Sequence, residues 1–244
     1  MGIINSSVSW PVNVIIMAGG KGTRLKSLTE NTHKSMIEIA DKSVILHLIE
    51  HLASFGLRSI YVSTGHLSSQ IINSIQDGGK LGISIKYIFE DTPMGSIGSL
   101  SLKEDWEHEN FLVVNGDIFT NFNVSHFINE FFTKEVDMAI LTVQNCIEMP
   151  LGVFDIDSNG KIINFTEKPK YYIQINTGVY LFNQRILNLL PAVGPMEGWE
   201  LIQSALNMGH KLISIPLENG YWIDIGTTET LLKAQEMALA KNTD

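Results

Sequence analysis

Hydrophobic and polar residues alternate along this chain in two rhythms, short apolar runs and stripes at helical spacing. Val12–Met17 is a β-branched run that closes on Gly19, Gly20 and Gly22, which predicts a buried strand entering a tight loop. Val44–Phe55 follows Ser43 and carries Ile45, Leu48, Ile49, Leu52 and Ala53 on one stripe, the pattern of a helix that Gly56 stops. Strands are predicted over Ile60–Ser63, Ile83–Phe89, Phe111–Asn115, Met138–Val143, Asn176–Phe182, Lys211–Ile215 and Tyr221–Ile225. Helices are predicted over Ser68–Ile75, Val124–Phe132, Gln184–Leu190, Glu200–Met208 and Thr228–Lys241, the last with Glu229 and Lys233 at i, i+4. Asp157-Ser158-Asn159-Gly160 joins Gly152–Asp155 to Lys161–Glu167 as a hairpin. The βαβαβ opening implies a single α/β domain: a mostly parallel twisted sheet, helices on both faces, and an added antiparallel β-hairpin. Residues 1–10 are read as a tail or linker and 11–244 as the domain.

Composition narrows the partners. The 17 Lys and Arg against 26 Asp and Glu give a net charge of −9, which argues against a nucleic-acid face. An anionic substrate must then meet a local cluster of cations or a metal inside an acidic body. The apolar runs are too short to span a bilayer, and no basic residue precedes an apolar run at the N-terminus, so neither a membrane span nor a secretory signal is expected. Cys146 is the single cysteine and is read as a small buried hydrophobe; the expected setting is the reducing cytoplasm.

Chemistry concentrates first in Ala18-Gly19-Gly20-Lys21-Gly22-Thr23-Arg24-Leu25. Its glycines let backbone N–H groups curl round an anion, with charge from Lys21 and Arg24. The run is neither a P-loop, since Gly22 follows Lys21, nor a dinucleotide fingerprint, since Leu25 stands where the third Gly is needed. Alone, it reads equally well as a tight turn with a solvated arginine.

The chain as a whole resembles the sugar-1-phosphate nucleotidylyltransferases. Gly19–Leu25 is followed by Leu28-Thr29 and Lys34, and then by Asp91-Thr92-Pro93-Met94-Gly95-Ser96-Ile97-Gly98-Ser99, similar to that family's nucleoside-binding turn. Asn115-Gly116-Asp117, Glu167-Lys168-Pro169, Asn176-Thr177-Gly178 and Trp222-Ile223-Asp224-Ile225-Gly226 complete five ordered matches. The resemblance implies a Rossmann-like, GT-A-like fold and the reaction of an NTP with a sugar 1-phosphate to give NDP-sugar and pyrophosphate. By it, Arg24 and Lys34 would hold the departing pyrophosphate and Lys168 the attacking phosphate. Ala18, Gly19, Gly20, Lys21, Gly22, Thr23, Arg24, Gly95 and Ser96 would bind nucleotide. Asn115, Gly152, Glu167, Lys168, Asn176 and Thr177 would face the sugar. Asp117 and Asp224 each close an apolar run, and two carboxylates there suit one Mg²⁺, a hard cation that takes oxygen ligands. No covalent nucleophile is needed; positioning and charge neutralisation suffice.

The sequence departs from that pattern in places. His33 and Ser35 flank Lys34 where the family commonly has prolines, Ile97 replaces a small residue, and Leu151 precedes Gly152 where an aromatic is common. Ser9-Trp10-Pro11-Val12-Asn13 resembles the junction in members that carry upstream CBS domains and act as guanylyltransferases on amino sugars. GTP and a hexosamine-type sugar 1-phosphate are therefore the expected substrates. The alternatives are mannose or heptose 1-phosphate, UTP or dTTP, and an idle nucleotide-sugar sensor. No left-handed β-helix extension is expected after Trp222–Gly226, and a homodimer is an assembly the fold allows. His47-Leu48-Ile49-Glu50-His51 has zinc-peptidase spacing but no third ligand motif downstream, and is read as the polar face of its helix. Trp199 and Trp222 are read as packing anchors, and His66 as a cleft or loop residue.

Overall fold

A computed structural model of the chain describes residues 10–20, 22, 25, 28–192 and 194–241. Thirteen strands and six α-helices are found among them: β1 (Asn13–Ala18), β2 (Glu38–Ile39), β3 (Lys42–Ser43), α1 (Val44–Ser54), β4 (Ser59–Thr64), α2 (Ser68–Ile75), β5 (Ser84–Phe89), β6 (Asn110–Asn115), β7 (Ile118–Thr120) and α3 (Val124–Thr133). There follow β8 (Met138–Glu148), β9 (Val153–Ile156), β10 (Ile162–Thr166), β11 (Lys170–Asn183), α4 (Gln184–Leu187), α5 (Gly198–Asn207), β12 (Leu212–Pro216), β13 (Trp222–Asp224) and α6 (Thr228–Lys241).

Seven strands form the central sheet in the order β12-β8-β11-β6-β1-β4-β5. β1 pairs in parallel with β4 and β6, β4 with β5, and β12 with β8; β11 runs antiparallel to both β6 and β8. Alternation along β1 explains the layers. Val14, Ile16 and Ala18 enter one core with Ile45, Leu48 and Leu52 of α1, Ile71 of α2 and Phe127 of α3. Ile15 and Met17 point the other way, to Leu100 and to Leu201 and Ala205 of α5. Helices therefore cover both faces, as the pattern predicts. A third, smaller core joins Ile39, Val44, Phe119, Ile223 and Ile225 to Leu231 and Ala234 of α6.

Local chemistry sets the ends of these elements. The Asn123 side chain accepts from His126 N–H at 2.9 Å to cap α3. Glu197 and Glu200 form a capping box on α5, with Glu197 N–H donating to Glu200 Oε2 at 2.8 Å. The hairpin appears as β9–β10, a two-stranded sheet of its own.

Several features differ from expectation. β8 and β11 run past the sheet and pair from Lys170↔Glu148 to Ile175↔Val143, making an exposed arm that carries no burial rhythm to reveal it. Cys146 lies on this arm and is exposed rather than buried. Trp199 is 65% exposed and anchors nothing, whereas Trp222 is partly buried and its Nε1 donates to Thr177 O at 2.8 Å. Trp10, placed with the tail, donates from Nε1 to Phe55 O at 3.2 Å and so docks on the domain. The zinc-like pair on α1 is spent elsewhere: His47 Nε2 meets Ile39 O at 2.7 Å and His51 Nε2 meets Phe122 O at 2.9 Å, while Glu50 pairs with Lys42. Among the described residues no helix is long and apolar enough to cross a membrane.

Candidate active site

Parallel strands deliver their carboxyl ends to one edge, and the chain places its chemistry there. Ala18 ends β1 and leads into Gly19 and Gly20, Glu90 follows β5, and Asn115 ends β6 just before Asp117; these residues line a cleft of about 760 Å³ together with the 93–96 turn, the Lys34 segment, Pro195 and Glu197. Ala18, Gly19, Gly20 and Gly22 of the predicted nucleotide loop are in this lining. Lys21, Thr23 and Arg24 lie outside the described residues. Thr29 Oγ1 staples the loop by donating to Gly22 O at 2.9 Å.

The two aspartates, 107 residues apart in sequence, meet because β13 pairs antiparallel with β7, with Asp224 opposite Ile118. Ile225 N–H donates to Asp117 O at 3.1 Å and closes the pair. Between the two carboxylates sits the Lys34 ammonium, bonded to Asp117 Oδ2 and 3.2 Å from Asp224 Oδ1. The Lys34 side chain is only 8% exposed, whereas those of Asp117 and Asp224 are 27% and 32% exposed. A buried ammonium is tolerated here because two carboxylates compensate it.

The 93–96 turn forms the opposite wall. Gly95 has φ +74°, and a Cβ there would stand 2.5 Å from the Met196 carbonyl oxygen, so only glycine fits. Ser96 N–H donates to Glu197 Oε2 at 3.1 Å, and Gly198 N–H donates to Ser96 Oγ at 2.9 Å. Glu90 is a cleft residue that no motif in the sequence marks. Its carboxylate lies directly over Gly19, in space that a Cβ would occupy. Ser63 Oγ donates to Glu90 Oε1 at 2.7 Å, and Met94 N–H reaches Oε2 at 3.3 Å. A lone Glu ahead of the Asp91–Ser99 motif gives no sequence signal of its own; the only clue is its place at the carboxyl end of a parallel strand.

The predicted sugar residues divide into three groups. Asn115 alone among them is in the lining of the cleft. Asn176 and Thr177 sit at a register shift in β11, where Asn176 Nδ2 donates to the Tyr180 hydroxyl at 2.8 Å. Thr177 is buried and its hydroxyl is committed to Leu141 O at 2.6 Å. Gly152, Glu167 and Lys168 cluster instead at the base of the hairpin, outside the lining of this cleft. A Cβ on Gly152 would come within 2.9 Å of Glu167 Oε2, and Lys168 adopts φ +47° on an exposed turn.

His33 lies beneath Lys34 and is 2% exposed. Its Nδ1 accepts from Ser35 N–H at 3.1 Å, so Nε2 carries the hydrogen and donates to Ala18 O at 2.8 Å. Burial pushes its pKa below the ordinary histidine value, the bond to Ala18 and the charge of Asp117 work against that shift, and His66 reinforces it.

Residues 13–241 match the Nucleotidyl transferase family model. The chain belongs to the nucleotidyl transferase family. It is 32% identical over 237 residues to the mannose-1-phosphate guanylyltransferase catalytic subunit beta of Dictyostelium discoideum, covering 93% of this chain and 65% of that one. It is 25% identical over 236 residues to the glucose-1-phosphate thymidylyltransferase of Streptomyces griseus, covering 93% and 66%. Among solved structures, HddC from Yersinia pseudotuberculosis complexed with GMP-PN superposes with a TM-score of 0.70 at 26% identity, covering 93% of this chain and 99% of that one. The chain thus spans less than two thirds of the length of the Dictyostelium relative. In this member of the family, Gly19, Gly20, Lys34 and Asp117 line one cleft, and Asp224 joins them through the Lys34 ammonium. Among the described residues no cluster of three or more His, Cys, Asp or Glu exists that would form an all-protein metal cage.

Proposed function

We propose that this chain transfers a nucleotidyl group from an NTP, GTP foremost, to a sugar 1-phosphate, releasing pyrophosphate and an NDP-sugar. The observation that carries the reading is the convergence of Asp117 and Asp224 on one cation position, the Lys34 ammonium, at a cleft bordered by the glycine loop. Two carboxylates already sharing one cation fit a hard divalent ion that keeps waters and takes phosphate oxygens for its remaining ligands. Asp117 and Asp224 would hold Mg²⁺, which supplies charge neutralisation and orientation of the phosphates when bound. Lys34, released from the carboxylates, turns its charge to the departing pyrophosphate, a role it shares with Arg24. Backbone N–H groups along Gly19, Gly20 and Gly22, with Lys21 and Thr23, cradle the nucleotide phosphates. Gly95 and Ser96 wall the nucleoside. Lys168 carries the attacking sugar phosphate, and Asn115, Asn176, Gly152 and Glu167 surround the sugar, while Thr177, buried and bonded to Leu141 O, holds β11 in place beside Asn176. The attacking oxygen is already anionic, so no protein base is required and the residues act by placement and charge.

Glu90 supports guanine as the base. Each carboxylate oxygen has a second lone pair beyond the bonds from Ser63 and Met94. Guanine presents N1–H and the N2 amino group side by side and satisfies both oxygens. Uracil and thymine present one N–H flanked by carbonyl oxygens, which a carboxylate repels. A site built to accept two N–H groups rejects bases that lack them. The guanylyltransferase of Dictyostelium and the GMP-PN complex of HddC agree with this choice.

Pyrophosphate release with Mg²⁺, measured for five NTPs against hexosamine, mannose, heptose and glucose 1-phosphates, tests the reading. Expected is turnover that requires GTP and one sugar phosphate and disappears in Asp117→Ala. Glu90→Gln is expected to lower kcat/KM for GTP roughly ten- to a hundred-fold, the loss of a charge-assisted bond, without a matching loss for UTP. Nucleotide binding with no pyrophosphate release from any pair would replace this reading with that of a sensor.

A further inference from the structure

The segment that carries Lys34 is held by an imidazole. His33 adopts φ −61° and ψ 135°, backbone angles that a proline also takes, and caps the single 3-10 turn Lys34–Met36. Unlike a proline it keeps its N–H, which donates to Gln70 Oε1 of α2 at 2.7 Å, while Gln70 Nε2 donates to Asn31 O at 2.8 Å. The ring spans the two halves of the phosphate site: Nε2–H to Ala18 O, where β1 enters the glycine loop, and Nδ1 to Ser35 N–H, one residue past Lys34. Gly22, further along the same loop, faces the Lys34 stem: a Cβ built on it would lie 3.0 Å from Lys34 Cβ.

We propose that His33 is a positioning residue: its neutral Nε2–H imidazole clamps the Lys34 turn to the start of the glycine loop, so that the ammonium and the loop amides address one phosphate chain. This rests on the reaction proposed above. The clamp is one-directional in protonation state. A second proton on Nδ1 would face Ser35 N–H, donor against donor, and open the Lys34 side of the clamp. Among the described residues, the titratable and charged groups around the ring are His66, Asp117 and neighbouring Lys34.

The test compares wild type, His33→Ala and His33→Asn. Asparagine restores one acceptor and one donor; alanine restores neither. Expected is a KM for GTP raised roughly ten- to a hundred-fold in His33→Ala, as misplacement of a phosphate contact produces, with His33→Asn falling between alanine and wild type. Expected also is an acid limb in the wild-type kcat/KM profile that His33→Asn moves or lacks. A His33→Ala enzyme with wild-type KM and kcat and only a lower Tm would reduce His33 to a structural role and overturn the proposal. If that variant does not fold, an unchanged acid limb in His33→Asn overturns it instead. The imidazole ¹⁵N shifts of wild-type protein report the tautomer without turnover. An inactive wild type with the Nε2–H form present counts against the reaction alone, whereas an Nδ1–H or doubly protonated ring at neutral pH refutes the clamp whether or not the enzyme turns over.

Discussion

Replacing Lys34 by Met removes the cation between Asp117 and Asp224 while keeping the length of its stem. At 3.2 Å from Asp224 Oδ1, and with an effective dielectric of about 40–80 suited to carboxylates nearly a third exposed, the lost attraction is roughly 1–3 kcal/mol. The desolvation that the buried ammonium no longer suffers offsets part of this, so the net loss is about 1–2 kcal/mol. For a chain of 244 residues that lowers Tm by about 2–8 °C. The informative step is to add Mg²⁺ without nucleotide. In the variant the ammonium no longer competes for the position between the carboxylates, and 10 mM Mg²⁺ acting on a site with a Kd of about 1 mM restores about 1.4 kcal/mol, or roughly 3–6 °C. In wild type the ammonium competes, and the shift is smaller. Differential scanning calorimetry of both proteins with Mg²⁺ and with EDTA reads the difference directly. Equal Mg²⁺ shifts in the two proteins, or no shift in Lys34→Met, would refute a shared cation position. The same variant is expected to lose about 10²- to 10³-fold in kcat/KM, because a preorganised charge on the pyrophosphate is gone.

Two further outcomes follow from particular contacts. Gly95→Ala forces a Cβ to within 2.5 Å of the Met196 carbonyl at φ +74°, and that carbonyl also accepts from Ile97 and Gly98 N–H. A loss of about 2 kcal/mol or more in urea melts, with a raised KM for the nucleotide, is expected; wild-type stability would show that the turn adapts freely. Tyr87 is pushed up to about 12 by burial, helped by the charge of Asp77. Its folded-state pKa is above its unfolded value of 10.0, so its contribution to stability is intact below pH 10 and is lost as pH rises toward 12. The difference absorbance of wild type against Tyr87→Phe at alkaline pH should show this late phenolate; ionisation near pH 10 would contradict the burial.

What local pattern and spacing could decide, the sequence decided. The β1 run, the stripe on α1, the α3 helix and the Asn-Gly hairpin each follow from propensity and burial rhythm over a few residues. The five ordered motifs likewise carry the resemblance to the family in the sequence alone. Tertiary structure alone decided which chemistry meets. Asp117 and Asp224 are neighbours only because β7 and β13, three residues each, pair across the third core; the strand over Tyr221–Ile225 is legible in the sequence, but nothing local names its partner. Glu90 enters the site because β4 and β5 stack in parallel and Gly19 leaves room for its carboxylate; neither fact is written near residue 90. The arm of β8 and β11 stayed hidden because it is exposed on both faces, and without burial there is no alternation. His33 was visible only as a departure from proline. That its ring joins Ala18 to Ser35 required the fold, since a hydrogen bond spanning fifteen residues depends on the path between them, which no local propensity encodes.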